Sequence, residues 1–190
     1  MPRILVFAGS TRRDSFNRKL AALAAGMCRD LGAEVTLLEL ADYPLPLFSQ
    51  DLEAEEGLPA NAVELKRLFG ENDGLVLACP EYNGSLTPLL KNTIDWISRR
   101  TGDEPPLAVY RGKTAVLLSV SPGALGGLRG LVHVRAILSG IGVLVLPAQV
   151  TVSNAFKAYA EDGSLIDDAL AGRVRTALAE LVDTTDKLRA

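Results

Sequence analysis

A chain of 190 residues, 48% of them hydrophobic and 23% charged, carries apolar material for one well-buried core and is short for two, so a single domain over 1–190 is expected. Its formal net charge of −3 is spread without long like-charge runs, which argues against a protein that works by neutralising nucleic-acid backbones. Two cysteines outside any C-x-x-C pair and a lone histidine exclude most metal-site arrangements, and no apolar stretch reaches the ~18 residues that a membrane span requires.

The first apolar run, 4–8, begins too close to the N-terminus and is too short to be a signal-peptide core with its flanks, so the expected compartment is a reducing cytoplasm. Directly after it come Gly9, Ser10, Thr11, Arg12, Arg13, Asp14, Ser15, Phe16 and Asn17, and then a helical pattern in which Leu20, Leu23, Ala24 and Met27 share a face. A helix start leaves backbone N–H groups unpaired and carries roughly +0.5 of an elementary charge, which favours an anion. Ser10, Thr11, Ser15 and Asn17 add neutral donors and Arg12 a planar charged fork. The loop therefore reads as a site for a small phosphate ester or, more plainly, as an N-cap at Ser15 beside solvated arginines. Neither a G-x-x-x-x-G-K-S/T phosphate loop nor a G-x-G-x-x-G dinucleotide fingerprint follows the first run.

Leu31 and Gly32 close that helix, and 35–40 reads as a second strand. Residues 40 to 60 form a long proline-containing connection that either borders a site or spans a gap. Leu65, Leu68 and Phe69 mark a second helix, and 75–79 a further strand. Pro80, Glu81, Tyr82, Asn83, Gly84 and Ser85 follow, an aromatic residue beside turn formers. Such a loop either grips a planar heterocycle or is an ordinary turn with Tyr82 covering the core edge. A third helical pattern aligns Leu86, Leu90, Ile94 and Ile97; Trp96 falls on another side with Leu89 and Thr93, either at an interface or under a neighbouring loop. The run 115–120 precedes Ser121, Pro122, Gly123, Ala124, Leu125, Gly126 and Gly127, which either contact something flat through backbone or let a helix pack closely. The fourth helix aligns Leu131, Val134, Ile137 and Leu138 and gives His133 a packing or interface role. A short strand at 143–146 and a last helix with Leu170, Val174, Leu178 and Leu181 complete the chain.

Strands buried on both faces and alternating with helices predict a three-layer α/β sandwich on a parallel sheet. The size suits the flavodoxin-like order 2-1-3-4-5, although the order itself is not legible in the residues. In that order the loops after the first, third and fourth strands meet near the topological switch point, where ligands bind.

G-S-x-R-x-x-S-x-N at 9–17, P-E-Y-N-G-S at 80–85 with the following L-K-N-T-I-D-W, and the S-P-G-x-x-G-G loop together resemble the NADPH-dependent FMN reductases, from the first strand to about Leu146. The resemblance implies a flavodoxin-like fold, non-covalently bound FMN, and NADPH or NADH as hydride donor. The acceptor would be small: a quinone, free flavin, azo dye or metal oxyanion. By position, Ser10, Arg12, Ser15 and Asn17 would hold the FMN phosphate. Pro80, Glu81, Tyr82, Asn83, Gly84 and Ser85 would line the ribityl chain and isoalloxazine, with Ser121 and Gly123 closing the far edge. No catalytic side chain is implied, because the chemistry belongs to the flavin. A homodimer or homotetramer is implied as well, and Arg13, Arg99 and Arg100 are the cations available to a 2′-phosphate. The competing readings are a flavodoxin-type electron carrier, an FMN-binding module without turnover, and a phosphate-ester hydrolase. The hydrolase lacks a carboxylate pair, metal cluster or reactive cysteine near the loop.

Overall fold

Successive side chains of a strand point to opposite faces, so a continuous apolar run serves two cores at once. In the computed structural model, which describes residues 1–189, β1 (Arg3–Ala8) does this: Ile4, Val6 and Ala8 face one core, Leu5 and Phe7 the other. The chain continues through α1 (Phe16–Asp30), β2 (Glu34–Leu38), α2 (Gln50–Glu56), α3 (Ala60–Glu71) and β3 (Gly74–Ala78). A two-stranded hairpin of β4 (Glu81–Tyr82) and β5 (Ser85–Leu86) leads into α4 (Pro88–Ile97) and β6 (Thr114–Val120). The last elements are α5 (Leu128–Gly140), β7 (Leu144–Val152) and α6 (Asp168–Leu188).

The main sheet is parallel throughout, in the order β2-β1-β3-β6-β7, which is the expected 2-1-3-4-5 counted along its five strands. One core packs α1 and α6 onto the sheet, with Leu170, Val174, Leu178 and Leu181 all buried in it. The opposite core takes Leu65 and Phe69 from α3, Leu90, Ile94 and Ile97 from α4, and Leu131, Val134 and Leu138 from α5. Flavodoxin-like architecture is thus established by strand order and layer count together.

Two expectations need correction, and a third is decided between its alternatives. Leu86 belongs to β5 and not to the helix with Leu90; Thr87 is the N-cap and Pro88 opens α4, since proline suits the first turn where no N–H bond is needed. The final strand runs on to Val152, well past 146. The reason is Pro147 on an edge strand: pairing passes from Ala115↔Val145 to Leu117↔Gln149 across an irregularity, beyond which the ladder resumes. Arg135 of α5 donates to the Val145 and Leu146 carbonyls there at 2.9 and 2.6 Å, satisfying groups that the ladder leaves free.

The third concerns the connection from 40 to 60, which contains α2 and is fastened to α4. Trp96 is fully buried, donates its indole N–H to the Pro46 carbonyl at 2.8 Å and meets Phe48 edge-on at 5.0 Å. Asn92 accepts from the Phe48 N–H and donates to the Pro46 carbonyl. Trp96 therefore packs under a neighbouring loop, and the interface reading falls. Trp96→Phe keeps an aromatic ring but loses the indole N–H bond to the Pro46 carbonyl, which still accepts from Asn92; we expect a loss of about 1 kcal/mol, seen as a lower denaturant midpoint at unchanged slope.

Candidate active site

Because β1, β3 and β6 are adjacent and parallel, the loops that leave their C-terminal ends emerge side by side. They enclose an open cleft of about 320 Å³, within the size range of small-molecule sites. Ser10, Arg12, Ser15 and Asn17 line it from the first loop, Pro80, Glu81 and Tyr82 from the second, and Ser121 from the third. Asn83, Gly84, Ser85 and Gly123, expected beside them, do not line it.

In the first loop, Ser15 caps α1, accepting from the Arg18 N–H, and the Ser10 hydroxyl accepts from the Arg12 N–H at 3.3 Å. The Phe16 and Asn17 N–H groups, at the helix start, have no partner among the described residues. Arg12 is exposed and lies over the Phe16 ring at 5.7 Å from its centroid. Asn17 is differently employed than expected. It is buried and donates to the Val120 carbonyl at 2.9 Å while accepting from the Val120 N–H at 3.1 Å, so its amide joins α1 to the end of β6.

The second loop is a hairpin with a two-residue turn. Asn83 and Gly84 have φ of 52° and 81°, the paired positive values that a type I′ turn requires and that Asn-Gly adopts most readily. Tyr82 stands more than half exposed at the cleft, whereas the Ser85 hydroxyl turns to His133 Nδ1 at 2.8 Å. His133 thus has a hydrogen-bonding role on α5 beyond the packing expected of it.

Glu81 also departs from expectation. Its side chain is only 9% exposed, and its carboxylate accepts from Arg129 at 2.8 Å and from the Gly130 N–H at 3.0 Å. Burial pulls its pKa upward; the Gly130 N–H and the Arg129 guanidinium outweigh that and hold the carboxyl below the ordinary glutamate value.

These three loops sit on a fold whose relatives can be named. A family model described as NADPH-dependent FMN reductase matches residues 2–157. The chain belongs to the NADPH-dependent FMN reductase family. The quinone reductase of Escherichia coli (strain K12) is 32% identical to this reductase over 186 residues, covering 95% of each chain. The 2-hydroxy-1,4-benzoquinone reductase of a Burkholderia sp is 34% identical over 145 residues, covering 76% of this chain and 74% of its own. Among solved structures, FerB, a flavoenzyme NAD(P)H:(acceptor) oxidoreductase from Paracoccus denitrificans, matches with a TM-score of 0.81 at 28% identity over 98% of both chains. The reductase is an enzyme of the NAD(P)H:quinone oxidoreductase and FMN reductase type, of a family whose chemistry implies a flavin and NAD(P)H. Among the described residues, no helix is long and apolar enough to cross a membrane and no cluster could hold a metal ion.

Sequence reasoning missed several residues of the reductase's cleft. Phe16 and Phe156 line it and meet edge-on at 5.2 Å, and Phe156 is 78% exposed. Tyr159 stacks parallel to the Phe16 ring, centroids 6.3 Å apart, and donates to the Phe16 carbonyl. Phe156 and Tyr159 lie past β7, about 140 residues from Phe16, where only the strand order could reveal the neighbourhood. Arg18 was missed too: it donates to the Arg12 and Arg13 carbonyls and pairs with Glu39 at 2.6 Å, bracing the first loop from behind.

The depressed carboxyl of Glu81 carries a sign. A folded-state pKa below the unfolded value stabilises the reductase above the ordinary glutamate range of about 4.3, and that contribution disappears as pH falls through the folded value. The stability gap between wild type and Glu81→Gln, measured by denaturation, should be constant near neutrality and close below about pH 4.

Proposed function

We propose that the cleft binds FMN and that the reductase passes a hydride from NADPH to the flavin and on to a small acceptor. The convergence of three donor-bearing loops on one cleft supports this reading most directly. The donor set fits the cofactor: hydroxyls of Ser10 and Ser15, the Arg12 guanidinium and the start of α1 suit a phosphate. Glu81 is the one carboxylate lining the cleft, and its charge is taken up by Arg129 and Gly130, so nothing anionic and unpaired opposes a dianion there. Pro80, Tyr82 and Ser121 supply flat and polar edges for the ribityl chain and ring.

When bound, FMN supplies hydride acceptance and release at its ring system. The chain's own work is to grip the phosphate at the head of α1, to lay the ring against the hairpin, and to leave one side open. The exposed Tyr82 and Phe156 rings flank that open side, where nicotinamide and acceptor would take turns. For the 2′-phosphate of NADPH, Arg99 is already committed to Glu53 and Phe48, which leaves Arg13 and Arg100 of the three cations considered.

The acceptor class we favour is a quinone, because relatives of nearly full coverage carry that activity in their names. Free flavin, azo dye and metal oxyanion remain in the panel to be assayed. We also propose a cytoplasmic homodimer or homotetramer; both cysteines are buried and unpaired, as a reducing compartment permits. A monomer by light scattering at assay concentration would remove the assembly from the proposal.

Purified protein should be yellow or take up added FMN, and NADPH should bleach that flavin anaerobically. A colourless preparation that binds no FMN overturns the reading. Hydrogen bonds to a charged group contribute roughly 1.5–3 kcal/mol each, so Arg12→Ala should weaken FMN binding by about tenfold to a hundredfold. Tyr82→Ala should weaken it less, and equal retention by both variants in a flavin titration contradicts the phosphate assignment.

A further inference from the structure

Helix α5, which follows the third of the cleft's loops, begins without a side-chain cap. Its N-cap is Gly127, at φ 93°. The position admits nothing larger: a Cβ there would lie 1.9 Å from the Ser119 hydroxyl oxygen, itself bonded to the Cys79 carbonyl at 2.6 Å. A helix start without a capping side chain leaves donors unpaired, and here one of them is taken up by a residue 49 positions earlier in the chain. Glu81 Oε2 accepts from the Gly130 N–H, the third helical position and the donor that a local Ser or Asp cap would ordinarily satisfy. Oε1 holds Arg129, the neighbouring residue of the same turn.

The same side chain is the first residue of the hairpin that carries Tyr82. The hairpin also lies tightly on α5, for a Cβ at Gly130 would stand 3.2 Å from the Ser85 carbonyl oxygen. At the other end of the hairpin, the Ser85 hydroxyl meets His133 of α5. Two polar rungs, the Glu81 carboxylate with Arg129 and Gly130 and the Ser85 hydroxyl with His133, thus fasten one wall of the cleft to the helix behind the third loop.

We infer that Glu81 is a positioning residue: it caps α5 from a distance and thereby holds the Tyr82 hairpin in register with the loop after β6, setting the bed on which the flavin ring lies. This rests on the proposed FMN site and reassigns Glu81 from cofactor contact to scaffold. Arg129 and the Ser85–His133 pair assist it. A simple loss of packing would loosen the molecule generally, whereas loss of this cap should loosen the hairpin and the first turn of α5 together and spare the strands.

Amide exchange of the protein without added cofactor tests the clamp independently of turnover. In Glu81→Ala the Gly130 amide and the hairpin amides from Tyr82 to Leu86 should exchange about tenfold faster, as expected for a lost cap, while 75–78 and 115–118 keep their protection. Glu81→Gln, which retains a neutral acceptor for the Gly130 N–H, should restore most of it. Unchanged exchange in Glu81→Ala overturns the inference, as does acceleration spread equally over the strands in both variants. Should Glu81→Ala not fold, Glu81→Met, which keeps the length of the side chain but has no acceptor oxygen for the Gly130 N–H, carries the same comparison, and wild-type protection of Gly130 and the hairpin in it overturns the inference. In a parallel FMN titration, Glu81→Ala should bind about tenfold more weakly and Glu81→Gln close to wild type. Wild-type affinity in a Glu81→Ala protein whose hairpin exchanges fast overturns the positioning role. A wild-type protein that binds no FMN sinks the functional reading while leaving the exchange result to decide the clamp.

Discussion

Hydrogen bonds between one loop and the next are what the cleft depends on. Beyond the last ladder positions, the Gly9 N–H reaches the Ala78 carbonyl and the Cys79 N–H reaches the Leu118 carbonyl, so the sheet pattern continues into the loops themselves. Side chains then take over where the strands diverge. Thr87 donates to the Gly9 carbonyl at 2.8 Å, Ser119 to the Cys79 carbonyl at 2.6 Å, and Asn17 pairs both ways with Val120. All of these are buried. Each adds only about 1 kcal/mol net when made, but leaving a buried partner orphaned costs about 1–3 kcal/mol, so the loops move together or not at all.

This wiring determines where small residues must stand. Loops drawn together by short side chains bring backbones within van der Waals reach, and a Cβ at Gly9 would already press on Leu90 of α4 at 3.1 Å. Gly127 is the extreme case, since the Ser119 hydroxyl that binds the second loop fills the space its side chain would need. One loop-to-loop bond therefore removes the local cap of α5 and creates the demand that Glu81 meets. Polar satisfaction, backbone conformation and helix capping are consequences of a single choice at Ser119.

The layers were legible because they depend on periodicity. Five apolar runs and the stripes of α1, α3, α5 and α6 carry their partners in their spacing, whereas the strand order was expected only from the size that suits a flavodoxin-like sheet and is not written in the residues. The cleft was legible as a set of loops but not as a set of contacts. Ser10, Arg12, Ser15, Pro80, Tyr82 and Ser121 do come together, whereas the Asn17 and Glu81 side chains face scaffold partners more than 40 residues away in sequence. No spacing rule distinguishes an asparagine that donates to a ligand from one that pairs with a distant strand end. The Asn-Gly turn, by contrast, had a local signal: two flanking residues on each side suffice for a hairpin when the turn type matches the strand twist.

The polar residues that look most like ligand contacts are in part structural, which narrows what is left to hold a cofactor. For the proposed FMN, backbone N–H groups at the head of α1, two hydroxyls and one exposed guanidinium would remain for the phosphate, and the ring would meet surfaces more than donors. A grip built from backbone tolerates side-chain change, because it depends on loop conformation and not on residue identity. That conformation is maintained by the buried bonds among Gly9, Asn17, Cys79, Thr87, Ser119 and Val120. In the function proposed above, selectivity for the acceptor would fall to what stands exposed at the rim, chiefly Tyr82 and Phe156. Under the proposed function, such a division would let relatives about one-third identical to this chain carry different named activities.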